Sequence, residues 1–419
     1  MRFRRSTIVP AILVVTLAVG ATACGGAGKS PQAPRAEPKS TSPTARVPPA
    51  SPTAEATSAR PAAKVTSASP TAEATSAGGF QCSAKGSSAT TLVPVVGAIA
   101  NGTTDDSDAI QNAIDLAGKR GGGVVALPAG TFMVNSHLVL MDNVELTGVG
   151  PATVIKAGPD FLATTGPGGG YPLISTGGAS DTTIANLTAD QSGNTLDGDV
   201  SARLSGYVVE GFWSQNVVIK GVYVRNPFTY SIAMVDTTDF CVDDNNVDVT
   251  GTINRYNQLD GIHILDSNSG QVINNSVVSG DDGLVAHTIG RPTYNVLYAN
   301  NKVHGGIDTD GIQLAVGDFP IYNITIEDND FYGSLFGIRS GYYDKGTGPL
   351  YDTLIIQNNI HDLTSSAETA AIEITGSVIP GIVRGITAVD NRVCDAGTVT
   401  VVPGPDDVVK GTTGCSNNG

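Results

Sequence analysis

The stretch that decides the fold runs from Gln271 to Asn301 and reads QVINNSVVSGDDGLVAHTIGRPTYNVLYANN. Short segments rich in β-branched and aliphatic residues alternate with Asn, Asp and Gly, a pattern typical of short strands joined by turns. An asparagine follows a strand-like segment at Asn275, and another does so at Asn301. Between them, Asp282-Gly283-Leu284 forms a second marker.

Both markers recur along the chain. The asparagine is found at Asn245, Asn275, Asn301, Asn329, Asn358 and Asn391. The second marker occurs as Asp260-Gly261-Ile262, Asp282-Gly283-Leu284, Asp310-Gly311-Ile312 and Phe336-Gly337-Ile338. Repeats of about 20–50 residues indicate solenoids, in which each unit packs on its neighbours. We therefore predict an all-β, single-stranded, right-handed parallel β-helix. A β-propeller or a Greek-key sandwich would need antiparallel hairpins, which a once-per-coil asparagine does not favour.

The segment Gly97–Val134 reads GAIANGTTDDSDAIQNAIDLAGKRGGGVVALPAGTFMV. Asp105-Asp106-Ser107 can cap a helix whose apolar face comprises Ala109, Ile110, Ala113, Ile114 and Ala117. Gly121-Gly122-Gly123 would end this helix, and Val124–Leu127 would begin a strand. The segment resembles the opening of the pectate-lyase-like superfamily of β-helices. In that superfamily a helix covers the open N-terminal end of the first coil.

Residues 1–24 are predicted to be an export signal, because arginines precede a short apolar stretch that ends in Ala21-Thr22-Ala23-Cys24. The last four residues resemble a bacterial lipobox, which implies lipidation at Cys24; cleavage without lipidation is the alternative. Residues 25–79 are rich in Ala, Pro, Ser and Thr and repeat SPTAEATSA, so we expect a disordered tether. Residues 80–419 would then form the β-helix domain of an extracytoplasmic lipoprotein or secreted protein.

The charge of the chain excludes some partners. Residues 1–79 contain nine Lys or Arg and three Asp or Glu, so the remainder carries 15 basic and 36 acidic side chains, a net charge of −21. This balance argues against nucleic acid and against an anionic membrane surface. We expect a monomer that acts on a polysaccharide and contacts the membrane only through its lipid anchor.

The cysteines other than Cys24 are Cys82, Cys241, Cys394 and Cys415. Four cysteines in an exported domain allow three pairings. Proximity favours Cys394 with Cys415, and the spacing does not suggest a zinc site.

Aligning the coils on the second marker places equivalent residues on neighbouring rungs, about 4.8 Å apart. The column before the glycine reads Asp260, Asp282, Asp310 and Phe336, with Asp281 beside it. The column after the isoleucine reads His263, Val285, Gln313, Arg339 and Glu373. Because side chains alternate along a strand, this second column is expected to face a groove or solvent. Close carboxylates repel, so one should keep its proton as a general acid while a neighbour acts as base.

The motifs Leu259–Ile262 and Gly280–Gly283 resemble the Asn-Thr-Asp and Gly-Asp-Asp motifs of glycoside hydrolase family 28, which contains the polygalacturonases. The resemblance implies that Asp281 is the general acid and that Asp260 and Asp282 hold the attacking water of an inverting reaction. Gly337-Ile338-Arg339 is similar to a Gly-x-Arg-x-Lys strand of that family, which implies that Arg339 binds substrate.

The chain departs from the family pattern in ways that bear on the substrate. The family's Gly-His-Gly motif falls on Thr309-Asp310-Gly311, and its lysine falls on Gly341. The family's histidine and lysine are therefore absent at these positions. An aspartate cluster without that basic pair resembles the β-helical dextranases and α-1,3-glucanases, which cut neutral glucans. The predicted substrate-binding residues are Asp310, Arg339, His263, Gln313, His304, Glu373 and Tyr342. We predict no metal or other cofactor, with calcium at the aspartates as the alternative.

These observations favour a glycoside hydrolase. A polysaccharide lyase or C5-epimerase acting on a uronic-acid polymer is the second hypothesis, although the strand at Tyr230–Met234 lacks the Asp-Pro-His motif of mannuronan epimerases. A non-catalytic glycan-binding β-helix is the third, because a fold alone does not settle function.

Overall fold

The computed structural model describes residues 80–161, 172–192, 207–250, 259–342, 346–364, 369–374, 382–394, 396, 398–401 and 407–414. The predicted export signal, Cys24, the tether and Cys415 lie outside these residues. Within the described part of the chain, no helix is both long and apolar enough to cross a membrane.

Three parallel sheets form the described structure. The strands of sheet 1 are Leu92–Val93, Gly123–Ala126, Val144–Thr147, Thr182–Ala185, Gln215–Lys220, Thr238–Asp243, Asn268–Ile273, Thr293–Ala299, Ile321–Glu327, Leu350–Ile356, Val383–Val389 and Val408–Lys410. Those of sheet 2 are Asn101–Asp105, Gly130–Val134, Thr153–Ala157, Thr188–Asp190, Tyr223–Arg225, Asn246–Asp248, Ser276–Val278, Lys302–His304, Asp330–Tyr332, Asn359–His361, Arg392–Cys394 and Thr413–Gly414. Those of sheet 3 are Leu138–Val139, Ile174–Ser175, Val209–Phe212, Ile232–Val235, Ile262–Leu265, Leu284–His287, Asp310–Val316, Phe336–Tyr342, Ala370–Ile374 and Thr398–Val401.

Each strand pairs with the equivalent strand of the next coil, which makes the molecule a right-handed parallel β-helix. In sheet 3, Ile262 pairs with Leu284, Leu284 with Ile312, and Ile312 with Ile338. All four side chains are fully buried and form part of one continuous core inside the coils. The predicted fold class is therefore confirmed.

The recurring asparagines form a hydrogen-bonded ladder along one corner of the coils. Each buried asparagine from Asn245 to Asn358 donates its side-chain amide to the side-chain oxygen of the next one, at 2.9–3.0 Å. That oxygen also accepts the backbone N–H of the preceding ladder residue. The residue before each ladder asparagine has φ between 53° and 58°, a left-handed turn that Asn and Asp tolerate well.

The predicted helix spans Ser107–Lys119 and buries Ile110, Ala113, Ile114 and Ala117 against the first coils. Its N-cap residue, Asp106, makes no side-chain capping bond to the helix. The Asp106 carboxylate instead accepts the backbone N–H groups of Ile99 and Ala100. Asp106 therefore joins the helix to the segment that leads into it.

A segment at Phe80–Ala89, which we call the strap, lies on the outer face of sheet 1. Its backbone N–H groups donate to side chains on separate coils, including Asn143, Asn216 and Gln271. A disulfide joins Cys82 in the strap to the buried Cys241, across 159 positions of sequence. Cys394 is also disulfide-bonded; the expected partner Cys415 lies outside the described residues.

Candidate active site

The two predicted columns lie on the outer face of sheet 3, in the predicted register. His263 pairs with Val285, Val285 with Gln313, Gln313 with Arg339, and Arg339 with Glu373. In the acidic column, Asp260 and Asp282 precede their strands, and Asp310 begins its strand. Backbone hydrogen bonds join these rungs: the Gly261 N–H donates to Asp282 O, and the Gly283 N–H donates to Asp310 O. Tyr207 and Tyr230 extend the acidic column toward the N-terminus, with ring centroids 5.1 Å apart.

Asp260, Asp281 and Asp282 form a compact carboxylate cluster. One carboxylate oxygen of each lies within 4.8 Å of one oxygen of each of the others. Asp260 and Asp282 are buried, whereas Asp281 is half-buried and is the most accessible of the three. The Asp282 backbone N–H binds the Asp260 carboxylate, and the Asp310 N–H donates to the Asp282 carboxylate at 3.0 Å. Each buried acid is thus held by the rung that follows it.

Burial and mutual repulsion favour the protonated forms of these acids. Burial, followed by the charges of Asp260 and Asp310, raises the pKa of Asp281 to about 8. Burial raises the pKa of Asp260 to about 7. Burial and the neighbouring carboxylates also raise the pKa of Asp282 well above its ordinary value. A cluster of this kind keeps at least one proton at neutral pH, which a general acid requires.

Asp310 occupies the position of the family histidine, but it is completely buried. The Gln313 side chain donates to its carboxylate at 2.7 Å, and Arg339 lies 3.4 Å from its other oxygen. The Arg339 guanidinium also stacks on Phe336, 4.4 Å from the ring centroid. The substrate-binding roles of Asp310 and Gln313 stay predictions; in this structure both side chains are buried, and the Asp310 carboxylate pairs with Arg339.

The substrate-binding role of His263 stays a prediction; in this structure its ring is buried against Asp260. Its Nδ1 lies 2.7 Å from the Asp260 carboxylate, and its Nε2 lies 3.1 Å from Nδ1 of His287. Burial lowers the pKa of His263 to about 4 and that of His287 to about 3. Both rings are therefore neutral at neutral pH.

The remaining predicted substrate-binding residues are His304, Glu373 and Tyr342. His304 ends a strand of sheet 2, and its ring packs edge-on against Tyr332, with centroids 5.1 Å apart. Glu373 is partly exposed beside Arg339 on the next rung. Tyr342 ends its strand, but its side chain lies outside the described part of the chain.

The sequence reasoning missed Glu210, which lies two rungs before His263 in the same column. Burial raises the pKa of this carboxyl to about 7, and Ser175 donates a hydrogen bond to it. The spacing Tyr207-x-x-Glu210 repeats the spacing Asp260-x-x-His263, so the register could have revealed it. Phe212 and Trp213 follow on the same coil and are exposed.

Among the described residues, the same three aspartates are the one group of three or more His, Cys, Asp or Glu side chains that lie close enough to hold a metal ion together. They supply three close oxygens, whereas calcium takes six to eight oxygen ligands. The shell would need water or substrate to complete it, so we assign no metal role to the cluster.

A parallel β-helix with a carboxylate cluster on the outer face of one sheet defines the class of pectate-lyase-like proteins. The family described as rhamnogalacturonase A/epimerase, pectate lyase-like, matches residues 93–339, and the chain belongs to this family.

Individual relatives differ in their chemistry. Alginate lyase 7 of Azotobacter vinelandii is 29% identical over 219 residues, which cover 49% of this chain and 23% of that protein. The chain thus spans less than a quarter of that relative. An exopolygalacturonase of Zea mays is 23% identical over 353 residues, covering 81% of this chain and 80% of that protein. The solved exopolygalacturonase of Thermotoga maritima shares the fold with a TM-score of 0.60 at 17% identity, covering 78% of this chain and 90% of that one.

Proposed function

We propose that this protein is a glycoside hydrolase that cleaves a polysaccharide by inversion at Asp260, Asp281 and Asp282. The observation that carries the proposal is the close cluster of three carboxylates on the outer wall of sheet 3. Its members differ in exposure and in partners, so that one can give a proton while another takes one.

Asp281 has the properties of the general acid. It is the most accessible of the three, and its raised pKa of about 8 keeps it protonated at neutral pH. The proton would pass from Asp281 to the glycosidic oxygen as the bond between that oxygen and the anomeric carbon breaks. Asp260 would accept a proton from the water that attacks this carbon.

The spacing of the carboxylates bears on the position of that water. Inverting enzymes with two carboxylates separate them by about 6.5–9.5 Å, and retaining enzymes by about 5–5.5 Å. The cluster is tighter than the inverting range, since one oxygen of each carboxylate lies within 4.8 Å of one oxygen of each of the others. Two acceptors that share one water, each about 2.7–2.8 Å from it, lie about 4.5–4.8 Å apart. We infer that the attacking water is held between Asp260 and Asp282.

The charges of the wall favour an uncharged polysaccharide. The sheet 3 strands from Val209–Phe212 to Asp310–Val316 contain no Lys or Arg, and Glu210 adds a further acid. Arg339, one rung later, is already paired with Asp310. A polymer of uronic acids would place negative charges along this wall without partners. The names of the relatives point the other way, toward alginate and galacturonan, so the choice of substrate is the first matter to test.

The test is a reducing-sugar screen of the purified protein on neutral glucans, galactans and xylans, and on polygalacturonate and alginate. We expect new reducing ends from a neutral polymer and inverted configuration of the first product by proton NMR. Asp281→Asn should lower kcat about 10²- to 10⁴-fold, the typical loss of a general acid. Asp308→Asn, at a nearby exposed aspartate, should leave it unchanged.

Several outcomes would contradict the proposal. A folded Asp281→Asn variant with full activity would remove Asp281 from the mechanism. A retained configuration would replace the shared water by a carboxylate nucleophile. Cleavage of polygalacturonate alone would refute the neutral substrate but not the hydrolysis.

A lyase or epimerase is the second candidate, and the similarity to alginate lyase 7 is what favours it. Such an enzyme must remove the proton at C5 of a uronate, and Tyr230 and His263 lie beside Asp260. A lyase would give an unsaturated product that absorbs ultraviolet light, and an epimerase would change the uronate composition without new chain ends. Either result on alginate, together with no reducing ends from neutral polymers, would decide against hydrolysis.

A further inference from the structure

The hydrogen bond between His263 and Asp260 bears on which nitrogen of the His263 ring carries the proton. A neutral imidazole carries one N–H and one acceptor nitrogen, and the partners of the ring decide which is which. Both nitrogens of His263 have partners: Asp260 at 2.7 Å on one side and His287 at 3.1 Å on the other. The protonation state of Asp260 therefore decides which nitrogen donates in each of these two hydrogen bonds.

When Asp260 is ionised it can only accept a hydrogen bond, so Nδ1 of His263 must carry the proton. Nε2 of His263 is then the acceptor, and it must receive the Nδ1–H of His287. The two rings form a directed chain that ends on the carboxylate. Such a chain stabilises the ionised form of Asp260 and opposes the effect of its burial.

The other charged and titratable groups around His263 do not compete for its nitrogens. Tyr207 and Tyr230 approach it from the preceding rungs, with ring centroids 6.1 and 5.7 Å away. Asp266, after the same strand, acts on the ring through its charge. Asp281 and Asp282 lie close to the Asp260 carboxylate, within the cluster.

The same device occurs two rungs away with a different residue. Gln313 lies three positions after Asp310, as His263 lies three positions after Asp260, and it donates to Asp310 at 2.7 Å. An amide donates without changing its charge. The fold therefore already contains a glutamine that binds an aspartate with this spacing.

We propose that His263 is a positioning residue that orients Asp260 and keeps it ionised as the base, with His287 fixing the tautomer of the His263 ring. The inference rests on the proposed hydrolase function, because it gives Asp260 the task of accepting a proton from water. The ring itself does not touch substrate.

The kinetic test compares His263→Leu with His263→Gln. The leucine removes the donor, so kcat should fall about 10- to 100-fold and the acidic limb of the kcat/KM profile should move to higher pH. In His263→Gln the side-chain amide can donate to Asp260 as Gln313 donates to Asp310. The kcat of this variant should therefore stay within about threefold of the wild type. A leucine variant with an unmoved acidic limb and full kcat would overturn the proposal. So would a folded glutamine variant that is as inactive as the leucine one.

A second measurement does not depend on activity. The chain has five histidines, so selective ¹⁵N labelling of the full protein should resolve their ring tautomers by NMR. We expect both His263 and His287 as Nδ1–H tautomers near pH 7, with their signals assigned from His263→Gln. An Nε2–H tautomer at His263 would refute the directed chain even if the enzyme cleaves glycans. If no glycan is cleaved but both Nδ1–H tautomers are found, the hydrolase proposal fails and the positioning of Asp260 stands.

Discussion

Four aspartates of one wall differ in what their carboxylates contact. Asp310 binds Gln313 and Arg339 and is completely buried. Asp260 binds a neutral histidine, and Asp282 accepts the backbone N–H of Asp310. Asp281 keeps the most exposure and the fewest fixed partners. Environment, and not residue type, therefore distinguishes these carboxylates, and the proposed roles of acid and base rest on that difference.

The pH dependence of activity should follow from these environments. Asp281 must be protonated to act as acid, and its pKa is raised to about 8. Activity should therefore fall as the pH rises through about 8, and it should fall at low pH as Asp260 takes up a proton. The kcat/KM profile of the wild type on its best substrate measures both limbs.

Asp308→Asn is the control for this profile and should reproduce it, because this side chain is exposed and has no part in the cluster. Constant activity up to about pH 10 would mean that another group, with a higher pKa, supplies the proton.

At the scale of the elements, the asparagine ladder holds each coil to the next. Asn301 is buried, donates to Val272 O and to the Asn329 side chain, and accepts two hydrogen bonds from Asn275. Asn301→Ala leaves several buried groups without partners, each worth about 1–3 kcal/mol. We expect the free energy of unfolding to fall by about 3–5 kcal/mol, measured by chemical denaturation.

Asn300→Gly is the matched control for the ladder. Asn300 is exposed, has φ of 53°, and makes a side-chain bond only to Asn274 in the described contacts. Glycine keeps this left-handed turn, so the loss should stay below about 1 kcal/mol. Equal losses for the two variants would show that the buried ladder contributes no more stability than the exposed bond from Asn300 to Asn274.

The ladder and the register of sheet 3 could be predicted because both depend on short-range patterns. The position before a glycine and the position after an isoleucine repeat once per coil, so aligning Asp260-Gly261-Ile262 with its counterparts gives the columns directly. The partners within a column could not be predicted in this way. Whether His263 faces substrate or Asp260 depends on its rotamer and on His287, which the pattern does not contain.

The side-chain partners of Asp310 could not be predicted from the repeat pattern either. From sequence it is an acid in place of a histidine, and a substrate contact is a reasonable interpretation. Its burial depends on Arg339, which reaches back from the following rung and also stacks on Phe336. A prediction of this contact would require the path of a long side chain between two coils.

At the scale of the whole molecule, the carboxylate cluster and the strap lie on different sheets of the solenoid. The carboxylate cluster lies on the outer face of sheet 3, while the strap and its disulfide cover part of sheet 1. The strap reaches coils that are far apart in sequence, from Asn143 to Gln271. A solenoid is stabilised by contacts between neighbouring coils only, so a strap across several coils adds cooperativity that the repeats alone do not give.

The disulfide between Cys82 and Cys241 should therefore matter more to stability than to activity. It closes a loop of 159 positions and so limits the conformational entropy of the unfolded chain. For a loop of this length the expected stabilisation is up to about 5 kcal/mol. The double variant Cys82→Ala/Cys241→Ala should unfold at a lower temperature in calorimetry, and its strap should be cut sooner than that of the wild type in limited proteolysis. Its kcat should stay near that of the wild type, because the strap does not contact the described residues of the cluster. The double variant also isolates this bond from that of Cys394, which a reducing agent would break as well. An unchanged unfolding temperature would show that the hydrogen bonds to Asn143, Asn216 and Gln271 hold the strap without the disulfide.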